Sequence, residues 1–184
     1  MLALRIDSQL ELKAVSIEDT DELFQLIDTN RAHLDVWFPW VETTRKPADT
    51  RAFVQSVIDA RARDEACTAV IRENGRAVGL VGVNPIDLQH NSGDLGYWLI
   101  KGAEGRGIMT RSATALVSHC FDAHELNRIT LRAAVQNGPS RAVAKRLGFS
   151  EEGVLREVER SPSGYVDLVF YSMLRREYLE RLPG

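Results

Sequence analysis

The chain has 184 residues, of which 44% are hydrophobic and 27% charged, values typical of a globular protein with a sizeable core. Its 23 basic and 26 acidic side chains leave a net charge of −3, which argues against binding nucleic acid through bulk positive charge. No apolar run approaches the roughly 20 residues that span a bilayer, and the stretch MLALRIDSQLELK carries acidic residues where a signal peptide is apolar. We therefore expect a cytoplasmic protein, without membrane or nucleic-acid partners, that forms one domain over residues 1–184.

The cysteine and histidine content predicts neither a disulfide framework nor a metal site. The 2 cysteines, Cys67 and Cys120, fit no disulfide or metal-type spacing. Among the 4 histidines, His119 and His124 are five residues apart, which would place their side chains on different faces of a helix. We expect ordinary surface or helix-end histidines and no metal.

In the first half of the chain, the hydrophobic pattern predicts one strand, two helices and a hairpin. Residues 9–15 alternate as a strand does, whereas 19–30 and 50–63 carry apolar stripes at helical spacing. Within 67–83, two short strands flank an Asn-Gly pair, which is a strong hairpin-turn signal.

The second half of the chain is predicted to alternate strands and helices. Because hairpins are antiparallel and strand–helix–strand units favour parallel neighbours, the pattern predicts an α/β fold with a mixed sheet. The elements are a strand over 94–100, a helix with Met109, Ala113, Leu116, Val117 and Cys120 on one face, a strand over 128–135, a helix over 140–147 capped by Gly148, and strands over 151–160 and 165–175 joined by the turn SPSG.

The segment KGAEGRGIMTRSA, residues 101–113, places three glycines directly before a helix. Helix N-termini present unpaired N–H groups, and glycine lets an anion approach them. A Walker P-loop is excluded, because Ile108 and Met109 stand where Lys and Ser/Thr are required. The dinucleotide-binding pattern begins at Gly105 but has Thr110 in place of its third glycine. The segment therefore predicts a phosphate or pyrophosphate cradle of another kind, with a plain strand-to-helix turn as the alternative.

Four segments together resemble the GNAT superfamily of N-acetyltransferases, most closely the RimJ/RimL type that acetylates ribosomal-protein N-termini. They read GYWLI, EGRGIMT, NRITLRAAVQN and SRAVAKRLGF. The resemblance covers nearly the whole chain, most clearly 94–175, and implies a mixed seven-stranded sheet with helices on both faces and a homodimer. The family's loop pattern Q/R-x-x-G-x-G/A is altered here at Glu104 and Met109. Backbone groups do the binding, and we expect the Glu104 carboxylate to point away from the pyrophosphate.

The cofactor that the resemblance implies is acetyl-CoA, in a cleft where the fourth and fifth strands diverge. Its pantetheine chain would pair with the backbone of the parted strand, and the Leu99 N–H is a candidate donor to the tetrahedral oxygen. Asn137 corresponds to a residue that binds the CoA arm, with helix capping as the alternative. The predicted cofactor-binding residues are Trp98, Leu99, Ile100, Gly105, Arg106, Gly107, Ile108, Met109, Thr110, Asn137 and Arg141; Lys145 and Arg146 are further basic residues near the cradle.

Acetyl transfer to an amine requires a base for the amine and a proton donor for the departing thiolate. The tyrosine that serves as acid in many family members is replaced here by Ala144. The RimJ/RimL-like alternative is the hydroxyl of Ser140, for which helix capping is an equal explanation. The resemblance makes Glu159 the base, acting through a water. Glu159 is expected to share a strand face with Glu157, and a solvated glutamate is its alternative role.

The acceptor site is predicted in the aromatic segment RAHLDVWFPW, residues 31–40. Trp37, Phe38 and Trp40 would wall a groove for a peptide or small amine, or would simply pack helices onto the sheet. The favoured acceptor is the α-amino group of a protein. The alternatives are a small amine, such as a polyamine or an antibiotic, and a noncatalytic acyl-CoA-binding module.

Overall fold

The computed structural model describes residues 2–161 and 164–182. The strands are β1 (Ala3–Arg5), β2 (Leu10–Ala14), β3 (Cys67–Glu73), β4 (Arg76–Asp87), β5 (Ser92–Leu99), β6 (Arg128–Ala134), β7 (Ser150–Ser161) and β8 (Gly164–Leu174). The helices are α1 (Thr20–Thr29), α2 (Arg31–Leu34), α3 (Trp40–Thr43), α4 (Pro47–Ala62), α5 (Ile108–Ala123), α6 (Gly138–Leu147) and α7 (Arg175–Leu179).

The strands form one mixed sheet in the order β1-β2-β3-β4-β5-β6-β8-β7. Neighbours are antiparallel except for the parallel pair β5 and β6. The mixed α/β architecture is thereby confirmed, but the described sheet has 8 strands and not seven. The additional strand is β1, whose 3 residues are too few to show a strand's alternation in the sequence.

Two local turn signals of the sequence are confirmed by the backbone. Asn74 and Gly75 both have left-handed conformations, with φ of 51° and 78°, as a tight hairpin turn between β3 and β4 requires. Gly148 ends α6 with φ of 80°. The predicted turn SPSG includes residues 162–163, which lie outside the described residues.

Helices cover both faces of the sheet, as expected. One core packs α5 against the sheet and includes the whole predicted face of that helix. The other core packs α1 and α4 against the opposite face, where Val70 and Leu80 of the central strands contribute. None of the described helices combines the length and the apolar character that crossing a bilayer requires.

The parallel pair β5 and β6 separates part of the way along its length. Ser92–Leu95 of β5 pairs with Arg128–Leu131 of β6, and beyond Leu95 and Leu131 the two strands no longer pair. Because β1 adds one strand to the count, these are the fourth and fifth strands of the sequence prediction. The remainder of β5 keeps its pairing with β4 and leaves its other edge open.

An ion pair joins β6 to β7 across the intervening strand β8. Arg128 donates two hydrogen bonds to the carboxylate of Glu152, one of them at 2.8 Å, and the hydroxyl of Ser172 donates a third at 2.8 Å. These donors, Arg128 first, lower the pKa of Glu152 from its ordinary 4.5 to about 2.

We expect Glu152→Gln to lower the free energy of unfolding at neutral pH by roughly 1 kcal/mol, because the carboxylate is partly exposed and solvent screens the pair. A depressed folded-state pKa contributes stability that is complete above about pH 4.5 and lost as the pH falls towards 2. Thermal unfolding across this range should therefore show the variant and the wild type converging in acid. The matched control is Glu151→Gln; a deficit that does not change with pH would contradict the assignment.

Candidate active site

A cavity of about 1290 Å³ runs between the separated ends of β5 and β6. One end reaches the glycine-rich turn before α5, and the other reaches the segment after α2 and the β7–β8 hairpin. Predicted site residues that line it are Trp37, Phe38, Trp98, Leu99, Gly105, Gly107, Ile108, Met109, Thr110, Asn137, Ser140 and Glu159. Ile100, Arg106, Arg141 and Trp40 are outside this lining.

The glycine turn has the backbone geometry of an anion cradle. Gly105 and Gly107 adopt left-handed conformations with φ of 72° and 71°, and a Cβ at either would meet nothing within 4 Å. Gly107 is the N-cap of α5, so the first N–H groups of this 16-residue helix begin directly after it. Ile108 to Thr110 line the cavity, and the helix dipole there favours negative charge.

The basic side chain in the cavity lining near this turn is Arg146, whose Nε donates to the Thr110 hydroxyl at 3.1 Å. The guanidinium of Arg106 instead donates two hydrogen bonds to Glu73, at 2.9 and 2.5 Å. Arg141 donates to a tyrosine hydroxyl at 3.2 Å and to a backbone carbonyl at 3.1 Å. Of these three arginines, Arg146 is the one that lines the cavity.

Glu104 and His33 both line the cavity. The Glu104 Oε1 lies 3.3 Å from Nε2 of His33, so the carboxylate has an imidazole partner within the protein. That it points away from a bound pyrophosphate stays a prediction.

The exposed edge of β5 presents the backbone N–H of Leu99 to the cavity. The Ile100 N–H donates to the Val78 carbonyl at 3.0 Å, on the β4 side. Because successive N–H groups of a strand point to opposite neighbours, the Leu99 N–H faces the side from which β6 has separated.

Ser140 is free of the capping role that was its alternative. Asn137 is the N-cap of α6, and its Oδ1 accepts a hydrogen bond from the Ser140 N–H at 3.1 Å. The Ser140 hydroxyl lies 3.0 Å from the hydroxyl of Tyr97 on β5. Burial raises the pKa of Tyr97 to about 12, so that its phenol stays protonated at neutral pH.

Tyr97 is a site residue that the sequence reasoning missed. It lines the cavity and reaches Ser140 across 43 residues of sequence. The sequence did contain a signal for it, because Tyr97 stands in GYWLI, on the strand edge predicted to meet the cofactor. Since side chains alternate along a strand, Tyr97 lies on the opposite face of the sheet from its neighbour Trp98.

Glu159 lines the cavity, but the expected pairing with Glu157 on one strand face is wrong. The register of β7 against β8 shifts between Leu155 and Glu159, and Glu157 has a left-handed φ of 51°. Its N–H donates to Asp167 at 2.8 Å. This irregularity breaks the alternation of the strand, as β-bulges do.

The aromatic segment divides between the two predicted roles. Trp37 and Phe38 line the cavity. Trp40 lies behind them, its ring centroid 5.5 Å from that of Phe38 and 6.4 Å from that of Trp98. Two of the three aromatics therefore wall the cavity, while the third packs against them.

Neither cysteine lies in the cavity, which argues against a covalent acetyl-cysteine route. Cys67 and Cys120 are buried free thiols, and the hydrogen bond between them lowers the pKa of Cys67 while raising that of Cys120.

The expected separation of the His119 and His124 side chains is wrong: their ring centroids are 5.9 Å apart. Because α5 ends at Ala123, His124 leaves the helical path and turns towards His119.

An open strand edge leading to a glycine turn before a helix is the architecture of the GNAT acetyltransferases. The model of that family, an acetyltransferase (GNAT) domain, matches residues 9–150, and the chain belongs to this family.

Named relatives extend this likeness over almost the full chain. The ribosomal-protein-serine acetyltransferase of Escherichia coli is 30% identical over 171 residues, which cover 93% of this chain and 96% of that protein. RimL, a ribosomal alpha-N-protein acetyltransferase solved in complex with coenzyme A, superposes with a TM-score of 0.91 at 28% identity, covering 94% and 98% of the two chains. The microcin self-immunity acetyltransferase MccE, solved with acetyl-CoA and AMP, gives a TM-score of 0.89 at 25% identity, covering 93% and 95%.

Proposed function

We propose that this protein transfers the acetyl group of acetyl-CoA directly to the N-terminal α-amino group of a protein, and specifically of a ribosomal protein. The observation that carries the proposal is the continuous cavity, which joins an anion-binding turn at one end to aromatic and carboxylate side chains at the other. The ribosomal acceptor rests on the relatives named for that activity.

The cofactor fits the cavity through backbone groups. The diphosphate would lie at the N–H groups after Gly107, with Arg146 supplying positive charge, and the pantetheine chain would pair with the free edge of β5 at Trp98 and Leu99. The Leu99 N–H would stabilise the oxygen of the tetrahedral intermediate. Asn137 also lines the cavity. The roles of Ile100, Arg106 and Arg141 in holding the cofactor, and of Trp40 in holding the acceptor, stay predictions.

In the reaction we propose, Glu159 accepts a proton from the amine through a water, the nitrogen attacks the thioester carbon, and the C–S bond breaks. Ser140 donates a proton to, or hydrogen-bonds, the departing thiolate. The phenol of Tyr97 can donate to the Ser140 oxygen, which supports this direction of transfer.

Tyr97→Phe is expected to lower kcat about fivefold, the effect of one lost neutral hydrogen bond, with little change in acetyl-CoA affinity. Tyr97 acts here as a positioning residue, so its effect should disappear when Ser140 is already alanine. Steady-state kinetics of both single variants and the double variant measure this coupling. Tyr178→Phe is the matched control, because that hydroxyl donates to Asp122 outside the cavity lining. Additive losses would remove Tyr97 from the mechanism.

The acceptor is tested with matched substrates and mass spectrometry. One peptide carries a free N-terminal serine and an internal lysine, a second has its N-terminus blocked, and spermidine represents the small amines. We expect acetyl only on the α-amino group of the first peptide. Acetylation confined to lysine or spermidine would favour the small-amine alternative, and thioester turnover on none of them, with acetyl-CoA bound, would favour the noncatalytic module.

We further propose that the chain acts as one domain in a cytoplasmic homodimer. Exposed apolar side chains on the β7–β8 hairpin support a subunit contact there, among them Val154, Leu155, Val158 and Tyr165. Sedimentation equilibrium tests the dimer, and cell fractionation tests the compartment.

A further inference from the structure

One cysteine and two histidine side chains lie close together at the C-terminal end of α5. Cys67 begins β3, His119 lies in the last turns of α5, and His124 follows the end of that helix. The Cys67 sulfur and one ring nitrogen of each histidine all lie within 4.8 Å of one another. The acetyl-transfer mechanism uses none of these groups.

The chemistry of this set suits zinc. Thiolate and imidazole are the usual zinc ligands, whereas magnesium and calcium require oxygen. With zinc–sulfur and zinc–nitrogen distances of about 2.3 and 2.0 Å, the ligand atoms of a tetrahedral site with one sulfur lie about 3.3–3.5 Å apart. The present separations, all within 4.8 Å, reach this geometry through a contraction of at most about 1.5 Å, which rotation of the side chains can supply.

The elements that carry the ligands are fixed, and the site is accessible. Cys67 is 4% exposed and pairs with Val83 in the sheet. The His124 N–H donates to the Cys120 carbonyl at 3.2 Å, which ties His124 to the helix end. Both histidines are only half-buried, so the site lies near the protein surface.

We propose that Cys67, His119 and His124 bind one zinc ion, with a water completing the coordination. The ion would join β3 to the end of α5 and stabilise their packing. From Ile108 to His119 the helix advances about 16 Å, so this site is separate from the glycine turn. Acetyl-CoA binding and zinc binding should therefore be independent.

The test is a titration of the metal-free protein with Co²⁺ in the presence of a non-coordinating phosphine reductant. We expect one Co²⁺ per chain, a sulfur-to-cobalt charge-transfer band in the near ultraviolet, and its displacement by Zn²⁺. Cys67→Ser should remove the band, and His119→Ala and His124→Ala should each weaken binding about tenfold or more. His90→Ala is the matched control, since this exposed histidine pairs with Asp87 elsewhere.

A second readout separates loss of the site from loss of the fold. Zn²⁺ should raise the Tm of the wild type and of His90→Ala, but not that of His119→Ala or His124→Ala. All variants should keep the far-ultraviolet circular dichroism and the acetyl-CoA affinity of the wild type. The absence of a charge-transfer band in the wild type, or equal Co²⁺ affinity in the wild type and both histidine variants, would overturn the proposal.

Discussion

Gly107→Val is expected to weaken acetyl-CoA binding at least about a hundredfold. The backbone at this position has a φ of 71°, and a β-branched residue is strongly disfavoured there. The turn would leave the left-handed conformation, and the first N–H groups of α5 would no longer converge on one point. The valine side chain would also enter space that is open beside Gly107. Isothermal titration calorimetry with acetyl-CoA measures the loss directly.

The matched control is Gly102→Val in the same glycine-rich stretch. A Cβ at Gly102 also meets nothing within 4 Å, but its backbone is not left-handed. The control should therefore bind acetyl-CoA almost as the wild type does. If folded Gly107→Val protein kept wild-type affinity, the turn would not be the diphosphate site.

Glu159→Gln is expected to lower kcat at neutral pH by about 10²–10⁴-fold, the usual cost of losing a positioned base. Acetyl-CoA affinity should stay nearly intact, because the proposed diphosphate site is at the other end of the cavity. High pH should partly rescue the variant, since the amine then deprotonates unaided. A pH–rate profile tests this, with Glu157→Gln as the control on the same strand. Glu157 is absent from the described cavity lining.

Ser140→Ala should also lower kcat, but without rescue at high pH, because the missing proton is needed at sulfur. High pH should partly restore kcat in Glu159→Gln but not in Ser140→Ala, and this difference distinguishes the base from the acid. Full kcat in both variants at every pH would mean that the amine arrives neutral and the thiolate leaves unassisted. Positioning alone would then account for the rate, and both assignments would be wrong.

The sequence predicted those parts of the site that depend on local backbone chemistry. Gly105 and Gly107 stand before a helix with a clear apolar face, and the left-handed turn there follows from short-range rules. The Asn74-Gly75 hairpin and the Gly148 cap are local in the same sense. Alternation and helical spacing were sufficient to place seven strands and the main helices.

The features that the sequence did not predict depend on contacts between distant segments. The hydrogen bond of Tyr97 with Ser140 and the position of Arg146 beside Thr110 arise only when β5, α5 and α6 pack together. The irregularity at Glu157 is a property of strand pairing, because it lies where the register of β7 against β8 shifts. Periodicity assumes regular elements and gives no account of such sites.

The short junction between β5 and β6 also has a consequence for folding cooperativity. In the described sheet, strand pairing joins the β1–β5 part to the β6–β8 part over Ser92–Leu95 and Arg128–Leu131, and the Asn91 carbonyl at the same end accepts two further backbone hydrogen bonds. We expect the two parts to open as separate units in native-state hydrogen exchange. A cofactor that contacts β5 and α6 together would connect them, and at a hundred times its Kd it would add about 2.7 kcal/mol of stability. Amide protection on both sides of the junction should then rise together, because the bound cofactor connects the two parts where the strands no longer pair.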